Sequence, residues 1–266
     1  MDAPETIASI SDLEVIATKT NADFGEAIWW RGHSDRDWTL KASIWRPKHA
    51  GFAGNEIAFI NHFQGRAICQ QESRRLPQDE VEWLLLAQHY RLPTRLLDWT
   101  ESPLVALYFA VTPDDADRET ADKDACLWAL SPTKLNQEFS NPMDPNNRQD
   151  GLVSVKESIV QGIVSASFGV KQTEALKAAF PKVLALQPWE SNERIIAQTG
   201  RFTLHSSQDA IETLAFGRAY LKRVIIPREA KEVLRRRLDV FGVRRWSIFP
   251  DLENLAKGLS GSGFNH

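Results

Sequence analysis

Two hydrophobic periods divide this chain between them, and that division limits the fold more than any other feature. Up to about Val111 the apolar residues recur mainly at helical spacing; beyond Lys182 they mostly alternate. In the first part, Ser11 or Asp12 is placed to cap a helix over residues 11–20. Ile57, Ile60, Phe63, Ala67 and Ile68 mark a second helix from Asn55 to about Leu76. "DEVEWLLLAQHY" gives a third, capped by Asp79 and ended before Pro93. "SPLVALYFAV" gives a fourth, with Pro103 in its first turn and Leu104, Leu107, Tyr108 and Val111 on one face. In the later part, "KVLALQP", "NERIIAQTGRFTLH" and "AYLKRVIIP" read as strands, to which "AIWWRG", ending at Gly32, and "CLWALS" add two more. Ser154 to Phe180 has weaker helical spacing with a break at Gly169, and "REAKEVLRRRLDVFG" is an amphipathic helix between Pro227 and Gly242. "TPDDADRETADKDA" and "NQEFSNPMDPNNRQDG" read as loops, and residues 260–266 as a flexible tail. The expectation is an α+β fold, a single domain over 1–266. Its helices lie mainly in the N-terminal half, packed on a mixed sheet whose neighbours are not sequential.

Bulk properties exclude several classes. The net charge of -3 gives no global basic field for nucleic acid, so any such contact needs a local patch. Two cysteines, Cys69 and Cys126, are too few and too far apart for a disulfide framework or a cysteine zinc site. The acidic start "MDAPETIASISDLEVIA" lacks the charge and apolar run of a signal peptide, and no apolar run approaches membrane-spanning length. A cytoplasmic protein with no membrane contact is expected. No P-loop, G-x-G-x-x-G, H-E-x-x-H or G-x-S-x-G elbow is present, which leaves kinase, Rossmann, zinc-protease and α/β-hydrolase chemistry without support.

Three stretches concentrate polar chemistry. The first is "IWWRGHSDRDW". Arg31 carries a planar fork of donors suited to phosphate or carboxylate, and Gly32 allows close approach to the backbone. Trp29 and Trp30 must point to opposite faces of their strand. An internal ion pair holding a strand end accounts for the same arginine. The second, "QHYRLPTRLLDWTESP", packs Gln88, His89, Arg95, Asp98 and Thr100 before a helix start that can present amides to an anion. Arg95 and Asp98 satisfying each other is the plainer alternative. The third is "SNERIIAQTGRFTLH", where Glu193 or Gln198 on a strand beside a cleft could orient a ribose hydroxyl or face a developing cation. The arginines 235, 236, 237, 244 and 245 form a local basic patch, a solvated helix face or a surface for RNA or DNA phosphates.

Trp30-Arg31-Gly32, "LLLAQHYRLPTRLLDWTESPLVALYFAV", "NERIIAQTGRFTLH" and "IFPDLENLAKGL" together resemble the FRG domain family, named for an aromatic-Arg-Gly motif, with Trp here in place of Phe or Tyr. The order of parts is also similar, more weakly, to ADP-ribosyltransferases of the Arg-Ser-Glu kind. That second resemblance implies a split sheet and NAD as substrate. It places Arg31 at the arginine that holds NAD, Asp98 to Thr100 where a Ser-Thr-Ser strand stands, and Glu193 at the glutamate, with Ile195, Ile196 and Phe202 in the matching apolar places. Asp98 departs from that pattern by replacing a hydroxyl, and the third catalytic position falls on Glu193 or Gln198. The resemblance implies Arg31, Glu193 and Gln198 as catalytic candidates. Gly32, Gln88, His89, Tyr90, Arg95, Asp98, Trp99 and Thr100 become NAD-binding candidates. It further implies a macromolecular acceptor (RNA, DNA or protein), a toxin or phage-defence role, and a possible neutralising antitoxin. A non-catalytic nucleotide or nucleic-acid binding module and an NAD glycohydrolase are the alternatives.

Overall fold

The computed structural model describes residues 5–52, 54–69, 76–112, 119–138, 151–168, 180–188, 193–215 and 217–261. Among them, seven strands form one sheet: β1 (Trp29–His33), β2 (Leu96–Thr100), β3 (Ala125–Leu130), β4 (Val153–Ser154), β5 (Val183–Gln187), β6 (Gly200–His205) and β7 (Leu221–Ile226), in the order β4-β5-β6-β2-β1-β3-β7. Neighbours are antiparallel except the β4–β5 pair. The sheet is therefore mixed and non-sequential within an α+β fold.

Alternation along each strand splits the core into layers. On one face, α1 (Ile10–Phe24), α4 (Pro103–Val111) and α9 (Arg228–Val240) cover Trp30, Leu127 and Val224. Farther along the same face, α2 (Glu56–Ala67), α3 (Glu80–His89) and α6 (Ser158–Phe168) cover Leu96, Leu184 and Leu204. Behind the sheet, Trp29, Leu97, Trp99 and Trp128 form a third cluster with Leu40 and Tyr220. Trp29 and Trp30 thus point to opposite faces. The remaining helices are short: α5 (Pro132–Glu138), α7 (Glu193–Ala197), α8 (Gly217–Tyr220), α10 (Arg245–Ile248) and the ten-residue α11 (Leu252–Gly261). No described helix is long and apolar enough to cross a membrane.

The structure corrects several sequence expectations. The first helix runs Ile10–Phe24, not 11–20, because Ser9 is its cap: its hydroxyl accepts from Asp12 N, and Asp12 answers as the reciprocal partner of a capping box. The start of the expected strand "NERIIAQTGRFTLH" is instead α7, and the strand begins only at Gly200. Two adjacent isoleucines in five residues satisfy either period, so spacing could not discriminate there. Asn136 to Glu138 belong to α5, not to a loop. The buried Asn136 amide exchanges hydrogen bonds with the backbone of Ala185, acting as a substitute strand partner for β5. The tail expected over 260–266 begins as the last turn of α11. Its residues 262–266 lie outside the described residues, as do parts of the two loops, the Gly169 break and the end of the second helix.

Candidate functional site

Every residue of β1 from Trp29 to His33 faces a partner on β3, and every residue of β2 from Leu96 to Thr100 faces one on β6. The two central strands, however, meet only at Trp30 and Thr100. Beyond that pair they part, and Arg31 fills the gap: its Nη1 donates to the Asp98 carbonyl, which the ladder leaves open. The cavity at this split has a volume of about 340 Å³, within the range of small-molecule sites. It lies on the sheet face between the α4 and α3 layers, bounded by Phe109, Leu85 and Phe249, and reaches through to Trp38, Ser43 and Arg46.

Arg31 is held by its neighbours. Its Nε donates to His33 Nε2 at 3.1 Å, and His33 Nδ1 lies 3.2 Å from the Trp38 carbonyl. Nε2 accepts, so the ring proton sits on Nδ1 and donates to that carbonyl. Burial, then Arg31 and Arg46, hold the His33 pKa well below the ordinary histidine value, which keeps the ring a neutral acceptor. Asp98 Oδ2 accepts from Gln88 Nε2 at 2.9 Å and stands 4.0 Å from Arg31 Nη1. Gln88 is itself oriented by the Thr94 hydroxyl, which donates to Gln88 Oε1. Thr94 also exchanges hydrogen bonds with Ser43 at the head of the segment that carries Arg46. One threonine therefore registers two walls of the cavity.

Burial is the first cause, and Arg46 the second, pulling Arg31 down to about 10 from its usual 12.5, so the guanidinium stays charged at neutral pH. Arg91, Arg194, Arg201 and Arg245 also line the cavity, whereas Asp98 is its one carboxylate among the described residues. Arg201 is paired with Glu101 at 2.9 Å. A basic hollow of this kind favours an anion carrying phosphate or carboxylate.

The third wall is the turn between α7 and β6. The Thr100 hydroxyl donates to the Gln198 carbonyl at 2.6 Å, and Gln198 Nε2 donates to the Ile248 carbonyl at 3.1 Å. Gln198 Oε1 takes no hydrogen bond from the described residues and remains an acceptor on the cavity wall. Thr199 closes the turn at φ 43°, a left-handed conformation uncommon for threonine.

The sequence candidates thus separate. Arg31, Gly32, Gln88, His89, Asp98, Trp99, Thr100 and Gln198 line this cavity. Gly32 does so for a different reason from the one expected. A Cβ there would lie 1.9 Å from the Ala106 carbonyl oxygen, so the glycine admits α4 rather than a ligand. Trp99 is buried and donates through Nε1 to Thr203 Oγ1. Arg95 does not line the cavity. It is buried against Glu56, donates to the His205 carbonyl and stacks on Trp45, so neither NAD contact nor pairing with Asp98 describes it. Tyr90 and Glu193 line a second cavity of about 600 Å³ next to the first. In the late basic patch, Arg235 and Arg236 pair with Glu232 and Arg244 with Asp239, while Arg245 turns inward.

Sequence reasoning missed Arg46, Arg91, Arg194 and Phe249 as wall residues. Arg91, Arg194 and Phe249 fall inside stretches singled out above, yet an arginine before a proline turn, an arginine after a glutamate on a supposed strand and a phenylalanine before proline carry no spacing signal of a site.

No curated protein and no solved structure matches this chain. The family model of the FRG domain matches residues 26–119, from the approach to β1 past the end of α4, a span holding Arg31, Gln88, Asp98 and Thr100. Over that segment the chain is similar to the FRG domain family.

Proposed function

We propose that the inner cavity binds NAD and that the protein transfers ADP-ribose from it to a macromolecule. The observation that carries this reading is the half-buried Arg31, set beside Arg46 in the gap between two parted strands and faced by a single carboxylate. Two guanidiniums so placed suit the pyrophosphate of a dinucleotide. Asp98, with Oδ1 taking no hydrogen bond from the described residues, accepts a ribose hydroxyl. Gln198 Oε1 presents a fixed dipole to the positive charge that develops as the nicotinamide–ribose bond breaks, a transition state akin to that of glycoside cleavage. The bonding electron pair leaves with nicotinamide, and the acceptor's nucleophile bonds to the ribose carbon and gives up a proton. Glu193, on the adjoining cavity, stands on the side from which an acceptor would arrive. The resemblance of the ordered parts to ADP-ribosyltransferases supports a cytoplasmic toxin or phage-defence effector, held in check by a neutralising antitoxin.

One observation favours a non-catalytic nucleotide-binding module instead: no carboxylate besides Asp98 lines the inner cavity among the described residues. Incubation with labelled NAD and cell lysate separates the two. Transfer of label to macromolecules is expected, falling by about 100-fold in Arg31→Ala and by at least about 10-fold in Gln198→Ala, the loss typical of removing a group that stabilises transition-state charge. Tight NAD binding without nicotinamide release selects the binding module. Free ADP-ribose without transfer selects a glycohydrolase. A folded Arg31→Ala variant that turns over NAD like the parent overturns the site.

A further inference from the structure

Two residues other than glycine have left-handed backbones among the described residues, Arg91 at φ 64° and Thr199 at φ 43°. Both stand at the inner cavity: Arg91 lines it, and Thr199 lies between Gln198 and Gly200, which line it too. Arg91 follows the last turn of α3, where Leu92 N donates to the Ala87 carbonyl at 3.0 Å, and helices commonly end with a left-handed residue in that bonding pattern. Thr199 follows only the short α7, and its side chain makes the conformation harder to hold. A left-handed backbone brings Cβ close to the following carbonyl oxygen, and a branch at Cβ adds to the crowding. Such a residue persists only where its surroundings over-determine it, and residues of this kind cluster at functional sites.

The surroundings of Thr199 do so through hydrogen bonds. Its N–H donates to the Ile196 carbonyl at 3.0 Å, and its own carbonyl accepts from Glu101 N at 3.2 Å. Its hydroxyl stands 2.8 Å from the Gln198 carbonyl and 3.0 Å from the Thr100 hydroxyl, and its one proton serves either. Thr100 meanwhile donates to the same Gln198 carbonyl and accepts from Ser102 N at 3.0 Å. One hydroxyl from β2 and one from the turn therefore close on the backbone of Gln198, while the Ile248 carbonyl holds its carboxamide. Glycine would take this backbone without strain but has no hydroxyl to offer.

We infer that Thr199 is a positioning residue: the turn keeps a threonine in a strained backbone because its hydroxyl, with that of Thr100, sets where Gln198 presents Oε1 on the cavity wall. Its value for catalysis rests on the transferase reading, in which that oxygen faces the charge developing on the ribose; its hold on Gln198 does not. A residue that only supports the fold loses stability and function together when it is replaced. A strained positioning residue separates the two, because relief of the strain offsets the lost contacts while the positioned group drifts.

Three substitutions at this position, followed by thermal melts and by nicotinamide release from NAD, test the role. Thr199→Gly relaxes the backbone and removes the hydroxyl. It should melt no lower than the parent, yet its kcat should fall by about 10-fold with KM for NAD within about 2-fold. Thr199→Val keeps the branch and loses the hydroxyl, so it should melt below the parent and lose a similar share of the rate. Thr199→Ser keeps the hydroxyl and should stay within about 2-fold of the parent rate. A second measurement needs no turnover. The Gln198 side-chain amide protons, assigned in NMR spectra by their loss in Gln198→Ala, should exchange with solvent about 10-fold faster in Thr199→Gly and Thr199→Val, and at the parent rate in Thr199→Ser. A Thr199→Gly variant with the parent's rate and the parent's amide exchange overturns the inference. Melting temperature and rate falling in step in that variant do so too. A parent that releases no nicotinamide overturns the transferase reading, and the amide exchange then decides alone whether Thr199 positions Gln198.

Discussion

Three consecutive residues do three different jobs. Arg31 bridges the parted strands, Gly32 lets α4 lie against β1, and His33 accepts from Arg31 while staying neutral. The glycine is the most rigid requirement of the three, because the clash facing a Cβ is with helix backbone and no side chain can swing away. Gly32→Ala should lower stability by about 3 kcal/mol, at the upper end of what overpacking costs, as read from urea denaturation. A variant as stable as the parent would mean that α4 can move off the strand. The motif was legible as an arginine-glycine at a strand end. Which partner the glycine admitted was not, because close approach by a ligand and close approach by a helix leave the same mark in sequence.

At the scale of elements, those with caps, prolines and a full apolar stripe were readable. α3 begins after Asp79, whose Oδ1 accepts from Glu82 N at 2.8 Å, and α4 begins at Pro103, as the residue types demanded. Short elements were not: α5 and α7 are held by tertiary contacts such as the Asn136 amide on β5, which local spacing does not encode. The separation of Arg31 from Arg95 was equally hidden, since the buried Glu56 that claims Arg95 comes from a helix far away in sequence. Asp79 also pairs with Lys156, which reaches Glu82 as well. Asp79→Ala should therefore cost about 1–2 kcal/mol, chiefly through the lost cap. Because α3 ends in Gln88 and His89, hydrogen exchange should quicken most in its first turn. Faster exchange confined to the far end would contradict this account of the cap.

For the whole molecule, two buried histidines link stability to pH. His33 is held well below the ordinary value and His205 is pulled down to about 3, in both cases by burial first and by Arg31 next. The unfolded chain then binds more protons than the folded one below about pH 6.5, so stability is fullest above that value and falls as the pH drops. Two such groups should remove about 3 kcal/mol between pH 7.5 and 5.5, before carboxylates titrate. Denaturant melts across that window measure it, and His205→Gln should roughly halve the slope. A flat profile would mean that one or both rings gain protons in the folded state.

The sheet itself resembles an open book. β4, β5, β6 and β2 make one leaf, β1, β3 and β7 the other, and the binding where they meet is the one strand pairing of Trp30 with Thr100 and the Arg31 hydrogen bond to the Asp98 carbonyl. Arg31 and Arg46 grip from one side of that spine, Asp98 and Gln198 from the other or beside it. A compound lodged there works as a staple, so filling the hollow would also stiffen the spine and slow the breathing of one leaf against the other.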